Sequence, residues 1–194
     1  MRCTSNRRSS TCPRGLDYRP AYYGGLAAIE LLPGGIKRVA IAADLEELQR
    51  RIVLAYTGAP HFSGTNNWEI MKRHIDGDRH VFDCFDRIIE AACGVRDALT
   101  RGDWSRVAAQ INLEWKARKK LAPGVTTPMI ETLIAGAFEA GASAAKVCGA
   151  GGGGCLFCLA APQDVPAVER ALTAGGARTL DYRIETEGLR VHST

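Results

Sequence analysis

Apolar and polar residues alternate along this chain in blocks that favour first strands, then helices, then strands again. Residues Ala21 to Leu32 and Ile36 to Ala42 are β-prone runs, and Pro33-Gly34-Gly35 between them predicts a hairpin. Asp44 is placed to cap a short helix running through Arg50, and Ile52 to Tyr56 forms a brief apolar strand. Thr57 to Thr65, with Gly58, Pro60 and Gly64, is a loop. The middle of the chain follows helical spacing. Trp68, Met71 and Ile75 recur as far as Gly77, and Val81, Phe85, Ile88, Ala92, Val95 and Leu99 mark a long amphipathic helix that Gly102-Asp103 breaks. Asp103 caps the next helix, which runs from Trp104 to about Leu121 and stops at Pro123-Gly124. Trp68, Trp104 and Trp115 are expected in the core.

Thr127 and Pro128 suit the N-cap and first position of another helix, with Glu131 near its positive end; that helix ends at Gly141. A strand follows from Ser143 to Cys148, then a glycine-rich loop, a strand from Cys155 to Ala160, a helix from Gln163 to Thr173 and a closing strand from Arg178 to Glu185. This order predicts an α+β fold, an antiparallel sheet with helices packed on one face. Residues 1–14 read as a disordered or mis-started tail.

The 194 residues are 46% apolar and 24% charged, with a net charge of +4, so a proper core is expected together with tolerance for anionic substrates. The basic residues are too dispersed for a nucleic-acid surface. No apolar run is long enough to span a bilayer, and Met1 to Arg14 lacks the apolar middle of a secretory signal. Seven cysteines, an odd number in mostly apolar surroundings, suggest reduced thiols in a cytoplasmic protein. Cys155 and Cys158 match CxxC, but residues three apart on a strand face opposite ways, which favours core packing over a metal or redox pair. No metal site is expected from the side chains.

The densest signal is Lys146-Val-Cys-Gly-Ala-Gly-Gly-Gly-Gly154, in which five of the last six residues are glycine. Ordering so much glycine costs backbone entropy, so the segment must need left-handed backbone or very close approach. One reading is a flexible turn between strands, although a hairpin needs only one or two glycines. A second is a dinucleotide fingerprint, since Gly149, Gly151 and Gly154 fit GxGxxG; that motif should open a helix, and here a strand follows. The third is an anion cradle built from consecutive backbone N–H groups, with Lys146 adding positive charge.

The segment from Lys146 to Gly154 resembles the third motif of the GHMP kinases, the superfamily of galactokinase, homoserine kinase, mevalonate kinase and phosphomevalonate kinase. Leu113 to Val125, Pro128 to Glu131 and Ala140 to Ala142 are similar to the helices leading into that motif in heptose 7-phosphate kinase and its sugar-kinase relatives. Tyr22-Tyr-Gly-Gly25 resembles the hairpin after the family's catalytic segment. The resemblance implies a ferredoxin-like C-terminal domain over residues 44–194 and a hairpin remnant of the N-terminal domain over 15–43. It also implies ATP and Mg²⁺ as cofactors, a sugar or sugar phosphate as acceptor, and approach of Gly149, Ala150, Gly151, Gly152, Gly153 and Gly154, with Lys146, to the nucleotide phosphates.

The family's nucleotide loop, P-x-x-x-G-L-G-S-S-A, does not occur in this sequence. The resemblance therefore implies a kinase fragment that is inactive alone and is completed by a separate N-terminal domain or associates with itself. Counting back from Gly24-Gly25, Asp17 falls in register with the family's catalytic aspartate, a carboxylate that orients or deprotonates the acceptor hydroxyl; Tyr18 and Arg19 depart from the pattern, and an ordinary loop residue is the competing reading. Lys116, Arg118, Lys119 and Lys120 cluster near a helix end. They read either as a solvated face complementing the helix dipole or, for Lys116 and Lys119, as contacts to a phosphorylated sugar. His61 is a weaker candidate for substrate contact. The alternative class is a noncatalytic module binding a small anionic metabolite or a partner chain.

Overall fold

A computed structural model of the protein describes residues 18–60 and 63–191. Asp17 and His61 lie outside the described residues. A short helix α1 (Tyr18–Tyr23) leads into the hairpin β1 (Ala27–Leu32) and β2 (Gly35–Ala40). Next come α2 (Leu45–Arg51), with Asp44 accepting from the Glu47 N–H as expected, and β3 (Ile52–Tyr56). Three helices follow: α3 (Ser63–Ile75), α4 (Arg79–Arg101) and α5 (Trp104–Arg118). A single 3-10 turn (Pro123–Val125) precedes α6 (Pro128–Glu139), and the chain continues through β4 (Ala142–Val147), β5 (Cys155–Ala160), α7 (Val165–Ala174) and a two-residue β6 (Arg178–Thr179).

The main sheet is antiparallel, in the order β4-β5-β3-β6. Strand alternation divides its side chains between two cores. Val53, Ala55, Val147, Leu156 and Cys158 pack with Ile130, Leu133 and Ile134 of α6 and Val168 and Leu172 of α7. Ile52, Ala144, Phe157 and Leu159 pack on the other side with Ala98 and Leu99 of α4 and Val107, Ala108 and Ile111 of α5. The α+β class and the antiparallel sheet with packed helices are as expected, and the α4–α5 pair adds a helical layer on the second face. Cys158 is buried among α6 and α7, and burial pushes its thiol up to about 12, so it is an inert core group. Cys155 belongs to the opposite face, which disposes of the CxxC pair. Cys84, Cys148, Cys155 and Cys158 are free thiols.

Three expectations from periodicity are corrected. The closing strand pairs only over Arg178 and Thr179. After one more backbone bond, Leu180 N–H to the Leu54 carbonyl, side chains replace the ladder: the single Tyr182 hydroxyl proton lies between the carbonyls of Gln49 and Ile52, and Ile184 N–H donates to Gln49 Oε1. The chain then reaches the hairpin, where Gly25 N–H donates to the Glu185 carbonyl and the backbones of Gly24 and Gly188 cross so closely that a Cβ on Gly24 would lie 2.5 Å from Gly188 N. Trp68 is not core: it is 68% exposed, on one stripe of α3 with the exposed Met71 and Ile75. Trp115 is buried as expected, although its indole N–H has no acceptor among the described residues. The helix α5 ends at Arg118, earlier than Leu121.

The cap of α6 is the local feature that matters most for the site. Thr127 Oγ1 accepts from the Ile130 N–H at 3.3 Å, fixing the point where the 3-10 turn becomes helix. Substituting Thr127 by Ala is expected to lower stability by about 1 kcal/mol, measured by urea denaturation. Unchanged stability would mean that packing alone sets this helix start.

Candidate functional site

The glycine loop joins β4 to β5 at the end of the sheet where β3 also finishes. Its base is closed by Cys148 N–H donating to the Cys155 carbonyl at 2.7 Å. Above that pair, Gly149, Gly151, Gly152 and Gly154 all take left-handed backbone, with φ of 72°, 85°, 80° and 79°. L side chains are strained there, so repeated glycine is a local requirement.

The loop lies against two neighbours. Gly152 N–H donates to the Val125 carbonyl at 2.9 Å, and Gly154 N–H to the Ala59 carbonyl at 2.9 Å, while the Gly154 carbonyl accepts from Thr57 N–H. Gly151 is buried so close to the 3-10 turn that a Cβ there would sit 2.2 Å from the Val125 carbonyl oxygen. These contacts correct the simplest version of the anion-cradle reading, because two of the loop amides are already occupied by protein carbonyls. The N–H groups of Gly149, Ala150, Gly151 and Gly153 have no protein acceptor among the described residues. Part of the glycine density therefore serves packing, and four backbone donors remain.

Through Val125 the loop stands beside the start of α6, where unpaired N–H groups and the helix dipole favour negative charge. Thr126 and Glu131 organise this corner. Glu131 accepts from Thr126 Oγ1 at 2.6 Å and pairs with Lys119 Nζ at 3.0 Å. Burial works to raise the Glu131 carboxyl, but these two partners outweigh it and hold it below the usual range. Lys119 also lies over the Trp115 ring, 5.7 Å from its centroid. Its charge thus braces the turn that carries the loop.

Lys146 does not extend freely toward an anion. It projects from β4 onto the α5 side and meets Glu114 Oε2 at 2.5 Å, while Arg118 Nε meets Glu114 Oε1 at 2.6 Å. The Lys146 side chain is 18% exposed and that of Glu114 only 9%. Burial lowers the Lys146 pKa, Glu114 opposes the shift and Arg118 adds to it, and the net direction is down. One carboxylate faces two cations, leaving a net charge of +1 beneath the base of the loop. Glu114 carries no functional signal in the sequence beyond its i,i+4 spacing from Arg118.

Lys116 and Lys119, paired in the sequence reading, separate in space. Lys116 belongs to the outer side of α5, in a groove against α4, whereas Lys119 turns toward α6. Among the described residues no group of three or more His, Cys, Asp or Glu could hold a metal ion, and no helix is long and apolar enough to cross a membrane.

Residues 95–178 match the family profile described as GHMP kinases C terminal. Mevalonate kinase of Thermococcus sibiricus is 32% identical over 161 residues, an alignment covering 76% of this chain and 45% of that protein. D-glycero-alpha-D-manno-heptose 7-phosphate kinase of Campylobacter jejuni is 26% identical over 144 residues, covering 74% of this chain and 42% of that protein. The chain spans less than half the length of either relative. Among solved structures, L. major mevalonate kinase in complex with R-mevalonate superposes with a TM-score of 0.73 at 24% identity, covering 84% of this chain and 49% of that one, and it shares the fold.

Proposed function

This chain belongs to the GHMP kinase superfamily, whose C-terminal domain it carries, and from that premise we propose that it serves ATP-dependent phosphoryl transfer to the hydroxyl of a small molecule. The observation that carries the reading is the set of four unpaired loop amides beside the α6 N-terminus. Four backbone donors within five residues fit a phosphate group. ATP would supply the transferable γ-phosphoryl group and Mg²⁺ would neutralise phosphate charge. Bound in this way, the magnesium ion would be carried mainly on phosphate oxygens and water.

Each residue then has a distinct task. Gly149, Ala150, Gly151 and Gly153 donate to phosphate oxygens. Gly152 and Gly154 anchor the loop on Val125 and Ala59. Lys146 acts as buried positive charge held by Glu114, contributing long-range potential without direct contact. Lys119, at the supporting turn, is the candidate for the acceptor's anionic group. Asp17 would orient or deprotonate the acceptor hydroxyl.

A sugar or sugar phosphate is the acceptor we favour, on Tyr22-Tyr-Gly-Gly25 and the likeness to the heptose phosphate kinase. Mevalonate is the second reading, favoured by the higher identity to the Thermococcus enzyme. Because P-x-x-x-G-L-G-S-S-A does not occur in these 194 residues, this polypeptide alone is proposed to be inactive and to act with a domain that supplies that loop. A titration of the purified chain with MgATP and with adenosine tests the phosphate reading. Weak, millimolar binding of MgATP without binding of adenosine is expected. Equal binding of both, or no MgATP binding, would remove the reading, and ordinary turnover in a coupled kinase assay would overturn the proposed dependence on a second domain.

A further inference from the structure

A second concavity lies on the side of α5 turned away from the sheet. The helices α4 and α5 pack together at Gly94, where a Cβ would meet Gln110 Oε1 at 2.5 Å. The opening is a groove of about 280 Å³, lined by Arg87 and Glu90 from one helix and by Gln110, Leu113, Lys116 and Lys120 from the other helix and the turn after it. Buried alanines form its floor.

The charge distribution makes the groove informative. Arg87, Lys116 and Lys120 form no ion pair among the described residues, and neither does Glu90. Three cations and one carboxylate leave a local charge of +2 around one small concavity. Lys116 lies in the last turn of α5 and Lys120 in the turn that follows it, and Arg87 joins them from α4. Simple solvation of α5's end would not require a third cation from α4. A dianion seated between them would match the local charge and use the three cations as donors.

We infer that the α4–α5 groove binds a small phosphate monoester, its phosphate held by Arg87, Lys116 and Lys120 and its apolar body on Leu113 and the alanine floor. The volume, just below the usual range of ligand pockets, limits the ligand to a small metabolite. This site is separate from the glycine loop and does not depend on the kinase reading. It would let an anion other than the nucleotide act on the same domain.

The test uses the full chain with phenyl phosphate and inorganic phosphate, against sodium chloride at matched ionic strength, followed by backbone amide NMR shifts and calorimetry. Saturable shifts at Arg87, Gln110, Lys116 and Lys120 are expected, with phenyl phosphate binding more tightly than inorganic phosphate. Each of K116Q and K120Q should weaken binding by about tenfold or more while leaving the urea midpoint unchanged. The same response to chloride, undiminished binding by both variants and by R87Q, or shifts confined to Gly149–Gly153 would overturn the inference. The last outcome would still leave the loop's own role standing, so the two readings fail separately.

Discussion

Replacing Gly151 by alanine should cost about 3 kcal/mol of folding stability, lowering the melting temperature by roughly 6–12 °C for a chain of this size. Two effects combine. At φ of 85° an L side chain is strained, and its Cβ would fall 2.2 Å from the Val125 carbonyl oxygen, a backbone atom that cannot swing aside. Relief requires the loop to lift from the 3-10 turn, which would break the Gly152 N–H bond to Val125. Gly77 supplies the control, because it has φ of 81° but nothing within 4 Å of its virtual Cβ. Gly77→Ala should cost only about 1 kcal/mol. Urea denaturation of the two variants checks the contrast, and equal losses would show that the approach to Val125 is not what demands glycine at position 151.

Glu114→Ala should cost about 3–5 kcal/mol, because it leaves Lys146 buried opposite Arg118 with no carboxylate between them. The conservative variant Glu114→Gln separates charge from shape through its pH dependence. In the native protein the Lys146 pKa already lies below its ordinary 10.5, since burial outweighs Glu114. Removing the Glu114 charge deletes the opposing influence and lowers it further. Between the folded pKa and 10.5 the unfolded chain then holds more protons than the folded one, so stability rises with pH. In Glu114→Gln this rise should begin at lower pH and be larger than in the parent protein. Denaturation midpoints measured from neutral pH to about pH 10 will show it; parallel profiles would mean that Lys146 leaves Glu114 without cost and the buried triad is not intact.

What was legible in the sequence had local causes. Asp44, Asp103 and Thr127 sit before their helices with side chains accepting from the first turn, and the strands around the glycine loop were bounded by that loop itself. What was missed depends on distant partners. Trp68, Met71 and Ile75 have helical spacing, but periodicity identifies a face and not what covers it, and here that stripe is exposed. The residues after Thr179 are β-prone, yet Tyr182 and Gln49 divert them from the sheet edge. At the site, glycine density signalled unusual backbone but could not separate the amides bonded to Val125 and Ala59 from those left open. Lys146 stands out in the sequence by its charge and its place before the loop. Its partner Glu114 is 32 residues earlier on another element, and only the packing of α5 on β4 brings them together.

The loop amides with no protein partner among the described residues are proposed to receive the phosphates of a nucleotide. Amide NMR shifts of the uniformly labelled chain during titration with the nonhydrolysable analogue AMPPNP address it most directly. The largest changes are expected at Gly149, Ala150, Gly151 and Gly153, with small ones at Gly152 and Gly154, whose N–H groups stay on Val125 and Ala59. Shifts centred elsewhere, with the loop unmoved at saturating ligand, would contradict it.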